Sequence, residues 1–161
     1  MGYTKLKRIE GIVSTSVPYL ISKHKIEIPE KTKSLLGSCL TPGAESCVWI
    51  EISIDEQVLY LWEGNKVKSA YLISSGKRRM DTRKGSYKMY SLYKSYPMWG
   101  KDWWCPDVPY AMFFHHEFAI HAAYWHNYFG TPASHGCVNM TEMDAKEVYE
   151  QVKKWTVVWV H

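Results

Sequence analysis

The chain has 161 residues, of which 46% are hydrophobic and 22% are charged, and its net charge is +4. This length suits one domain with its own core, and the composition is that of an ordinary globular protein. No run of Lys and Arg is dense enough to predict nucleic-acid binding, and no apolar stretch is long enough to span a membrane.

The first part of the chain, residues 1–46, has no sustained hydrophobic period and contains three prolines. We expect an extended lead-in, or the stub of a neighbouring module, followed by a separate domain over residues 47–161. The basic N-terminus is followed by Glu10 and a polar segment, which makes a poor signal peptide. Cys39 and Cys47 flank a Pro-Gly turn, and they either pair in a disulfide or stay free thiols.

From Val48 onward, apolar residues alternate with polar ones over short stretches, which is typical of β-strands with one buried face. Turn-forming residues separate these stretches, as at Asp55-Glu56 and at 63–65. Seven stretches are predicted as strands, namely 48–54, 58–62, 66–74, 85–93, 110–114, 118–121 and 156–160.

One helix is predicted after Thr141, whose hydroxyl can cap the amide three residues on. Asp144 can reach back to complete an arrangement like a capping box. Apolar residues then recur at helical spacing, at Ala145, Val148 and Tyr149. The sequence therefore predicts a mostly β domain with one helix near its C-terminal end.

An aromatic segment, 96–105, contains Trp99, Trp103 and Trp104 and overlaps a predicted loop over 97–109. Loops of this length tend to be functional, and indole rings suit clefts that bind sugars or extended peptides. We interpret the segment as a flap over a cleft, gripping a peptide or a sugar strand. The alternative is a small core packed beneath the loop.

The clearest chemical signal is the segment Ser134-His135-Gly136-Cys137-Val138-Asn139. A thiol is a weak nucleophile while protonated, and a neighbouring imidazole corrects this by taking the proton. We therefore interpret Cys137 as a nucleophile and His121 as its base, and we expect the pKa of the thiol to be lowered. Gly136 permits a tight turn, so that the amides of Gly136 and Cys137 can face a developing oxyanion.

The histidines suggest a zinc site as an alternative. The short ligand pairs of structural zinc sites and the HExxH helix pattern are missing, however. His121 and His126 are five residues apart, which fits neither one helix face nor one strand face. We therefore expect no metal and no cofactor.

These residues, in this order, resemble the L,D-transpeptidase family with its YkuD-type catalytic domain. The family signature is an upstream His, then Ser/Thr-His-Gly-Cys, an apolar residue, and Asn or Arg. Arg83 departs from the pattern, because the family usually has proline there. Further stretches that match the family in the same order are 49–53, 57–60, 73–77, 81–87, 109–112 and 144–145.

The resemblance implies a β-sandwich or barrel-like catalytic domain over 47–161, with one helix after the nucleophile loop. It implies catalysis by Cys137 and His121, with the carbonyl of Ala122 orienting the imidazole. Ser134 and Asn139 are expected to fix the loop and contact the substrate. His135 either adds positive potential beside the thiol or is a structural partner, and Tyr110 is a candidate for the acyl pocket.

The implied activity is acyl transfer on peptidoglycan stem peptides, as part of cell-wall biogenesis and the maintenance of cell shape. Cys137 would form a thioester with release of D-alanine, and an acceptor amine would resolve it in a 3-3 cross-link or an attachment. Carbapenem-type β-lactams would acylate the same thiol. The protein would be located in the cell envelope or outside the cell. With water as acceptor the enzyme would be an L,D-carboxypeptidase or endopeptidase. A wall-binding module with vestigial catalytic residues is the alternative from another class.

Overall fold

The computed structural model describes residues 14–21, 24–41 and 46–161. In these ranges the chain forms nine strands in two sheets, with three α-helices. The strands are β1 (Val48–Ser53), β2 (Val58–Glu63), β3 (Lys66–Leu72), β4 (Gly85–Lys88), β5 (Ser91–Gly100), β6 (Trp103–His115), β7 (Phe118–Ala122), β8 (Val138–Met140) and β9 (Val157–Val160). The helices are α1 (Pro18–Ile21), α2 (Glu30–Leu36) and α3 (Glu142–Gln151), with a 3-10 helix at Gly37–Leu40.

The first sheet has the strand order β3-β2-β1-β9-β4, and the second has the order β5-β6-β7-β8. Strands β1 and β2 form the predicted hairpin, and β9 lies parallel to β1, with Ile50 opposite Val158. In the second sheet, β8 lies parallel to β7, with His121 opposite Asn139. The predicted fold class, mostly β with one helix after the nucleophile loop, is confirmed.

The main core lies between the two sheets. Ile50 and Ile52 point into it from β1, as the alternation of apolar residues predicts, and Met112 and Ile120 point into it from the second sheet. Helix α3 adds its buried apolar face to this core, where Ala145 is fully buried. Because both sheets contribute one apolar face, the result is a sandwich with the helix packed at one end.

The described part of the N-terminal segment is partly helical, whereas we expected an extended lead-in. Helix α2 covers the outer face of the first sheet, and Leu36 packs in a second cluster with Trp49 and Tyr60. Cys39 and Cys47 form a disulfide, with their Cα atoms 5.3 Å apart. The Pro-Gly turn and the N-terminus, which we judged a poor signal peptide, lie outside the described residues. None of the helices in the described ranges has the length and apolar character that crossing a membrane requires.

The predicted strand over 85–93 is wrong, because these residues belong to two strands in different sheets. The chain leaves the first sheet after β4 and enters the second at β5, and Met89 is buried at the crossing. The loop predicted over 97–109 is also wrong, since β5 and β6 form a long hairpin through this region. The register shifts between Tyr96 and Met98, so Pro97 sits at an irregularity where its missing N–H is tolerated.

Helix α3 begins as predicted, with the Thr141 hydroxyl accepting a hydrogen bond from the Asp144 amide at 3.2 Å. The other half of the capping box is wrong. The buried Asp144 carboxylate instead accepts hydrogen bonds from the Ser14 hydroxyl, the Thr15 amide and the Thr15 hydroxyl, at 2.5, 2.8 and 2.7 Å. This side chain therefore ties the N-terminal segment to the helix that packs beside β6 and β7.

Candidate active site

A cavity of about 960 Å³ opens between the β5–β6 hairpin, β7 and the loop that leads into β8. Cys137 and His121 both line it. Other predicted site residues on its wall are Ser134, His135, Asn139, Trp99, Trp103 and Trp104. The fold thus brings together residues that are up to 40 positions apart in the sequence.

Tyr110, the candidate for an acyl pocket, does not line this cavity. Its ring packs against Tyr149 of α3, with ring centroids 5.5 Å apart. Along β6, Tyr110 shares its face with Met112 and Phe114, which point into the main core. The alternation of the strand therefore directs this side chain away from the cavity.

The loop 134–137 is held in shape by its own hydrogen bonds. Ser134 donates its hydroxyl to the Cys137 carbonyl at 2.5 Å, and the Gly136 amide donates to the Ser134 oxygen at 3.0 Å. Because the Gly136 amide is used inside the loop, this geometry does not direct it toward an oxyanion. The Ser134 carbonyl accepts from the Lys77 amide at 3.0 Å, and the Gly136 carbonyl accepts from the Thr82 hydroxyl at 2.8 Å.

Gly136 has a φ of 128°, a conformation that side chains rarely adopt. A Cβ at this position would also lie 2.5 Å from the ring of Phe118. Both the backbone angle and the close approach of this ring require glycine. The tight turn before Cys137, which the sequence predicts, is therefore present.

His121 is buried, and its Nδ1 atom lies 2.8 Å from the carbonyl oxygen of Ala122. A carbonyl oxygen can only accept, so Nδ1 carries the proton and Nε2 of the neutral ring has a free lone pair. Burial lowers the pKa of His121 to about 4, which keeps the imidazole neutral at pH 7. In this tautomer the imidazole can accept a proton at Nε2.

The Cys137 thiol donates a long hydrogen bond to the carbonyl of Glu117, at 3.7 Å. Burial raises the pKa of this thiol to about 11, whereas we expected it to be lowered. The cause is local, because Cys137 packs against the apolar cluster that contains Met98 and Val108. Among the described residues no hydrogen bond joins this thiol to the imidazole of His121. The resting state is therefore a neutral thiol and a neutral imidazole on one cavity wall.

The β5–β6 hairpin carries the three indoles that we expected in a flap. Trp103 stacks on His135, with centroids 5.5 Å apart and planes 15° apart. Trp99 and Trp104 are opposite each other across the hairpin, and 64% and 69% of their surfaces are exposed. A small apolar cluster with Met98 does lie beneath the hairpin, but these two rings remain outside it.

Sequence reasoning missed part of the cavity wall. His126, considered only as a metal ligand, is in contact with Asn139, and their side-chain nitrogens lie 2.9 Å apart. Tyr124 and Trp125 also line the cavity. The density of aromatic residues between His121 and the loop was the available signal. In the described ranges, no three His, Cys, Asp or Glu side chains are grouped to hold a metal ion.

The sequence was compared with models of known families and with known proteins, and the structure was compared with solved structures. The sequence model of the YkuD family, the L,D-transpeptidase catalytic domain, matches residues 48–160. A protein of Bacillus subtilis (strain 168), provisionally named L,D-transpeptidase YciB, is 29% identical over an alignment of 137 positions, gaps included, that covers 69% of this chain and 64% of that protein.

Two solved structures share the arrangement of the two sheets. An L,D-transpeptidase from Mycobacterium smegmatis superimposes with a TM-score of 0.67 at 21% identity, over 74% of this chain and 59% of the other. L,D-transpeptidase 3 from Mycobacterium tuberculosis, in complex with a faropenem-derived adduct, superimposes with a TM-score of 0.67 at 21% identity. The superposition covers 71% of this chain and 60% of the other. The chain spans less than two thirds of the length of each relative. Since the family match extends from β1 to β9 and so includes both sheets and the cavity, this chain belongs to the family of L,D-transpeptidase catalytic domains.

Proposed function

We propose that this chain is a cysteine acyltransferase that acts on peptidoglycan stem peptides. The observation that carries the proposal is the pair formed by Cys137 and His121 on the wall of one cavity. The hydrogen bond from Nδ1 to the Ala122 carbonyl fixes the tautomer that a base needs, with its free lone pair on Nε2. Membership of the L,D-transpeptidase family supports the substrate class.

The neutral resting pair defines how the first step proceeds. With a pKa of about 11, only about one thiol in 10⁴ is ionised at pH 7. His121 therefore removes the proton as the Cys137 sulfur attacks the amide carbon before the terminal D-alanine. The C–N bond then breaks, and the imidazolium returns this proton to the leaving amine of D-alanine. A thioester joins the peptide to the sulfur.

The second step reverses these roles with an acceptor. His121 takes a proton from an amine of a second stem peptide, whose nitrogen attacks the thioester. The sulfur leaves with the proton, so the resting pair is restored and a 3-3 cross-link or attachment is formed. The backbone amide of Cys137 is the proposed donor to the oxyanion, since the amide of Gly136 is already bonded to Ser134. With water in place of the amine, the same site acts as an L,D-carboxypeptidase.

The surroundings of the cavity suit a long polymeric substrate. Trp99 and Trp104 present exposed rings at its edge, where a sugar or peptide can stack. The segment between β3 and β4 packs against the nucleophile loop through Lys77 and Thr82. It has one acidic residue, Asp81, among five exposed cationic side chains, at 77, 78, 79, 83 and 84. A positive surface there attracts a polymer with free carboxylates.

The proposed location is the cell envelope or the outside of the cell. Peptidoglycan lies there, and the family membership points to this substrate. The disulfide between Cys39 and Cys47 supports an oxidising compartment, because such bonds persist mainly outside the cytosol.

The test uses covalent capture and product analysis together. The wild-type protein, Cys137→Ala and His121→Ala are incubated with a carbapenem, and their intact masses are measured. We expect one adduct on the wild type, none on Cys137→Ala, and slow formation on His121→Ala. A wild-type protein with no adduct would favour the wall-binding alternative.

A second measurement identifies the acceptor. Disaccharide-tetrapeptides are incubated with the wild-type protein, and the products are separated by mass with and without an added acceptor amine. We expect loss of D-alanine and formation of a dimer or an amine conjugate. Release of D-alanine with only the hydrolysed tripeptide as product would identify a carboxypeptidase instead.

A further inference from the structure

The turn that joins β6 to β7 consists of two residues, His116 and Glu117, because His115 pairs with Phe118 across the hairpin. Turns of this length need a positive φ and favour Gly, Asn or Asp there. His116 takes that position with a φ of 46°, and its carbonyl accepts a hydrogen bond from the hydroxyl of Tyr90. The turn is thus held in place, although neither of its residues is one that the backbone favours.

Glu117 lies beside the proposed nucleophile. Its backbone carbonyl accepts the hydrogen bond from the Cys137 thiol, with 3.7 Å between oxygen and sulfur. The residue is exposed, and it lines the cavity. Within the ranges that the structure describes, no Lys, Arg or Asp lines this cavity, so the carboxylate of Glu117 is the one full negative charge on its wall.

The negative charge of Glu117 acts on two other residues of the cavity wall. Burial is the main cause that raises the pKa of Cys137, and this charge raises it further. The pKa of Tyr90 is also raised, first by burial and in addition by the same carboxylate. None of the ion pairs between described residues includes Glu117. The carboxylate is therefore available to a cation that enters the cavity.

Acylation of Cys137 changes the surroundings of Glu117 at one atom. The thiol loses its hydrogen when the thioester forms, so the Glu117 carbonyl loses the donor that it has in the resting protein. The acyl-enzyme then presents an unfilled carbonyl oxygen and a carboxylate on one residue, next to the sulfur. A primary ammonium group can use both, because it has three N–H donors and a positive charge. Water gains nothing from the charge.

We propose that Glu117 binds the ammonium group of the acceptor in the acyl-enzyme and thereby favours attack by the amine over attack by water. The bound ammonium first gives one proton to the solvent. His121 takes a second proton as the nitrogen attacks the thioester carbon, and this proton goes to the leaving sulfur. The new amide keeps the remaining hydrogen. The inference rests on the proposed function, because it needs the thioester that the proposed first step forms.

The first test measures how the acyl-enzyme divides between amine and water. The wild type and Glu117→Gln are incubated with a disaccharide-tetrapeptide and n-butylamine at pH 7, and the tripeptide butylamide and the free tripeptide are quantified by mass. Both products come from one thioester, so their ratio does not depend on how fast it forms. We expect the ratio of butylamide to free tripeptide to fall about fivefold in Glu117→Gln, as for the loss of an exposed ion pair. An unchanged ratio overturns the inference.

Three controls test whether the charge is the cause. Hydroxylamine is largely uncharged at pH 7, so with this acceptor the wild type and Glu117→Gln should give nearly the same ratio. Glu117→Asp keeps the charge and should restore most of the ratio with butylamine. Glu142→Gln removes an exposed carboxylate outside the cavity and should give the wild-type ratio. A loss of equal size with hydroxylamine, in Glu117→Asp or in Glu142→Gln overturns the role of the charge at this position.

A last measurement separates the acceptor from the donor, since a donor stem peptide can carry an amino group of its own. KM for D-alanine release is measured without added amine, and Glu117→Gln should change this KM less than it changes the product ratio. A raised KM with an unchanged ratio assigns the carboxylate to the donor and overturns the inference. If the wild type gains a β-lactam adduct but forms no butylamide, the inference fails while acylation stands. If the wild type gains no adduct and releases no D-alanine, the proposed function fails and the inference falls with it.

Discussion

His121 and Asn139 are register partners in the parallel pairing of β7 with β8. Cys137 lies directly before β8, so this pairing brings the proposed nucleophile close to the strand that carries the proposed base, His121. The chain between the two strands, residues 123–137, returns over the cavity and supplies much of its wall. A short parallel pair thus organises the site, and each residue in it can be tested separately.

The rate of Cys137 acylation should depend little on pH near neutrality. With pKa values of about 4 for His121 and about 11 for Cys137, the neutral pair persists across this range. We expect the second-order rate with a carbapenem to change less than about twofold between pH 6 and 9. A free thiolate with an ordinary pKa would instead gain about tenfold per pH unit below that pKa. Stopped-flow absorbance at fixed ionic strength measures the rate, and a tenfold rise per unit would contradict the neutral pair.

Acid should destabilise the protein partly through His121. The pKa of this residue is about 4 in the folded state and 6.5 in the unfolded chain, so the unfolded state binds the proton first as the pH falls. Through His121, the free energy of unfolding is unchanged above pH 6.5 and falls by about 2–3 kcal/mol between pH 6.5 and 4. Urea unfolding at pH 7 and 4.5 should therefore give a larger difference for the wild type than for His121→Gln. Equal differences in the two proteins would exclude this origin.

Gly136→Ala should distort the nucleophile loop for two separable reasons. The φ of 128° costs about 1–3 kcal/mol for a residue with a side chain, and the new Cβ would lie 2.5 Å from Phe118. We expect lower stability and little acylation of Cys137. The double variant with Phe118→Leu should recover part of the stability, since only the contact is relieved. A single variant that unfolds and acylates like the wild type would contradict the requirement for glycine.

The cationic segment before β4 should matter for a polymer and not for a small inhibitor. We expect Arg78→Gln with Arg79→Gln to weaken binding to intact peptidoglycan several-fold at low salt and to leave carbapenem acylation unchanged. Lys153→Gln with Lys154→Gln is the matched control, because it removes two exposed charges from another turn. Sedimentation with purified cell walls at two salt concentrations measures the effect. Equal losses in both double variants would show that only net charge counts.

Elements that depend on local sequence patterns could be predicted from the sequence, whereas contacts between distant segments could not. The β1–β2 hairpin was predictable because Asp55-Glu56 and the apolar alternation around it lie within one short stretch. Glu51, however, reads as a solvent-facing residue in that alternation, yet it is fully buried. Its carboxylate lies 2.8 Å from Nε2 of His24, which is 27 residues away in the N-terminal segment, and no local pattern announces this contact. The hairpin of β5 and β6 was missed because its prolines suggested a loop.

The sequence pointed to candidate residues for the site, but their electrostatics could not be predicted from it. The motif around Cys137 suggested a candidate nucleophile and His121 a candidate base, and both residues line the cavity. The pKa of the thiol depends on how much apolar surface surrounds it, which only the packing against Met98 and its neighbours decides. The contact of His126 with Asn139 likewise arises because the loop after β7 folds back on β8. Spacing along the chain does not encode it.

Glu51 should be sensitive to the kind of group that replaces it. Its buried carboxylate accepts from the Trp62 indole at 2.8 Å and faces Nε2 of His24 and of His161 at 2.8 Å each. A glutamine can still accept from Trp62 with its oxygen and donate to a histidine that changes its tautomer, so we expect Glu51→Gln to cost about 1 kcal/mol. Glu51→Leu leaves the indole N–H without an acceptor and should cost about 3 kcal/mol or more.

Urea unfolding of the two variants and the wild type measures whether Glu51→Leu costs more than Glu51→Gln. We expect this difference because the indole nitrogen of Trp62 can only donate, whereas each imidazole nitrogen can change from donor to acceptor. Glu51→Leu combined with Trp62→Phe should therefore cost less than the sum of the two single changes, since the unpaired donor is removed with its ring nitrogen. Additive costs would mean that the indole finds another partner, and that the carboxylate joins only the N-terminal segment and the last residue to the sheet.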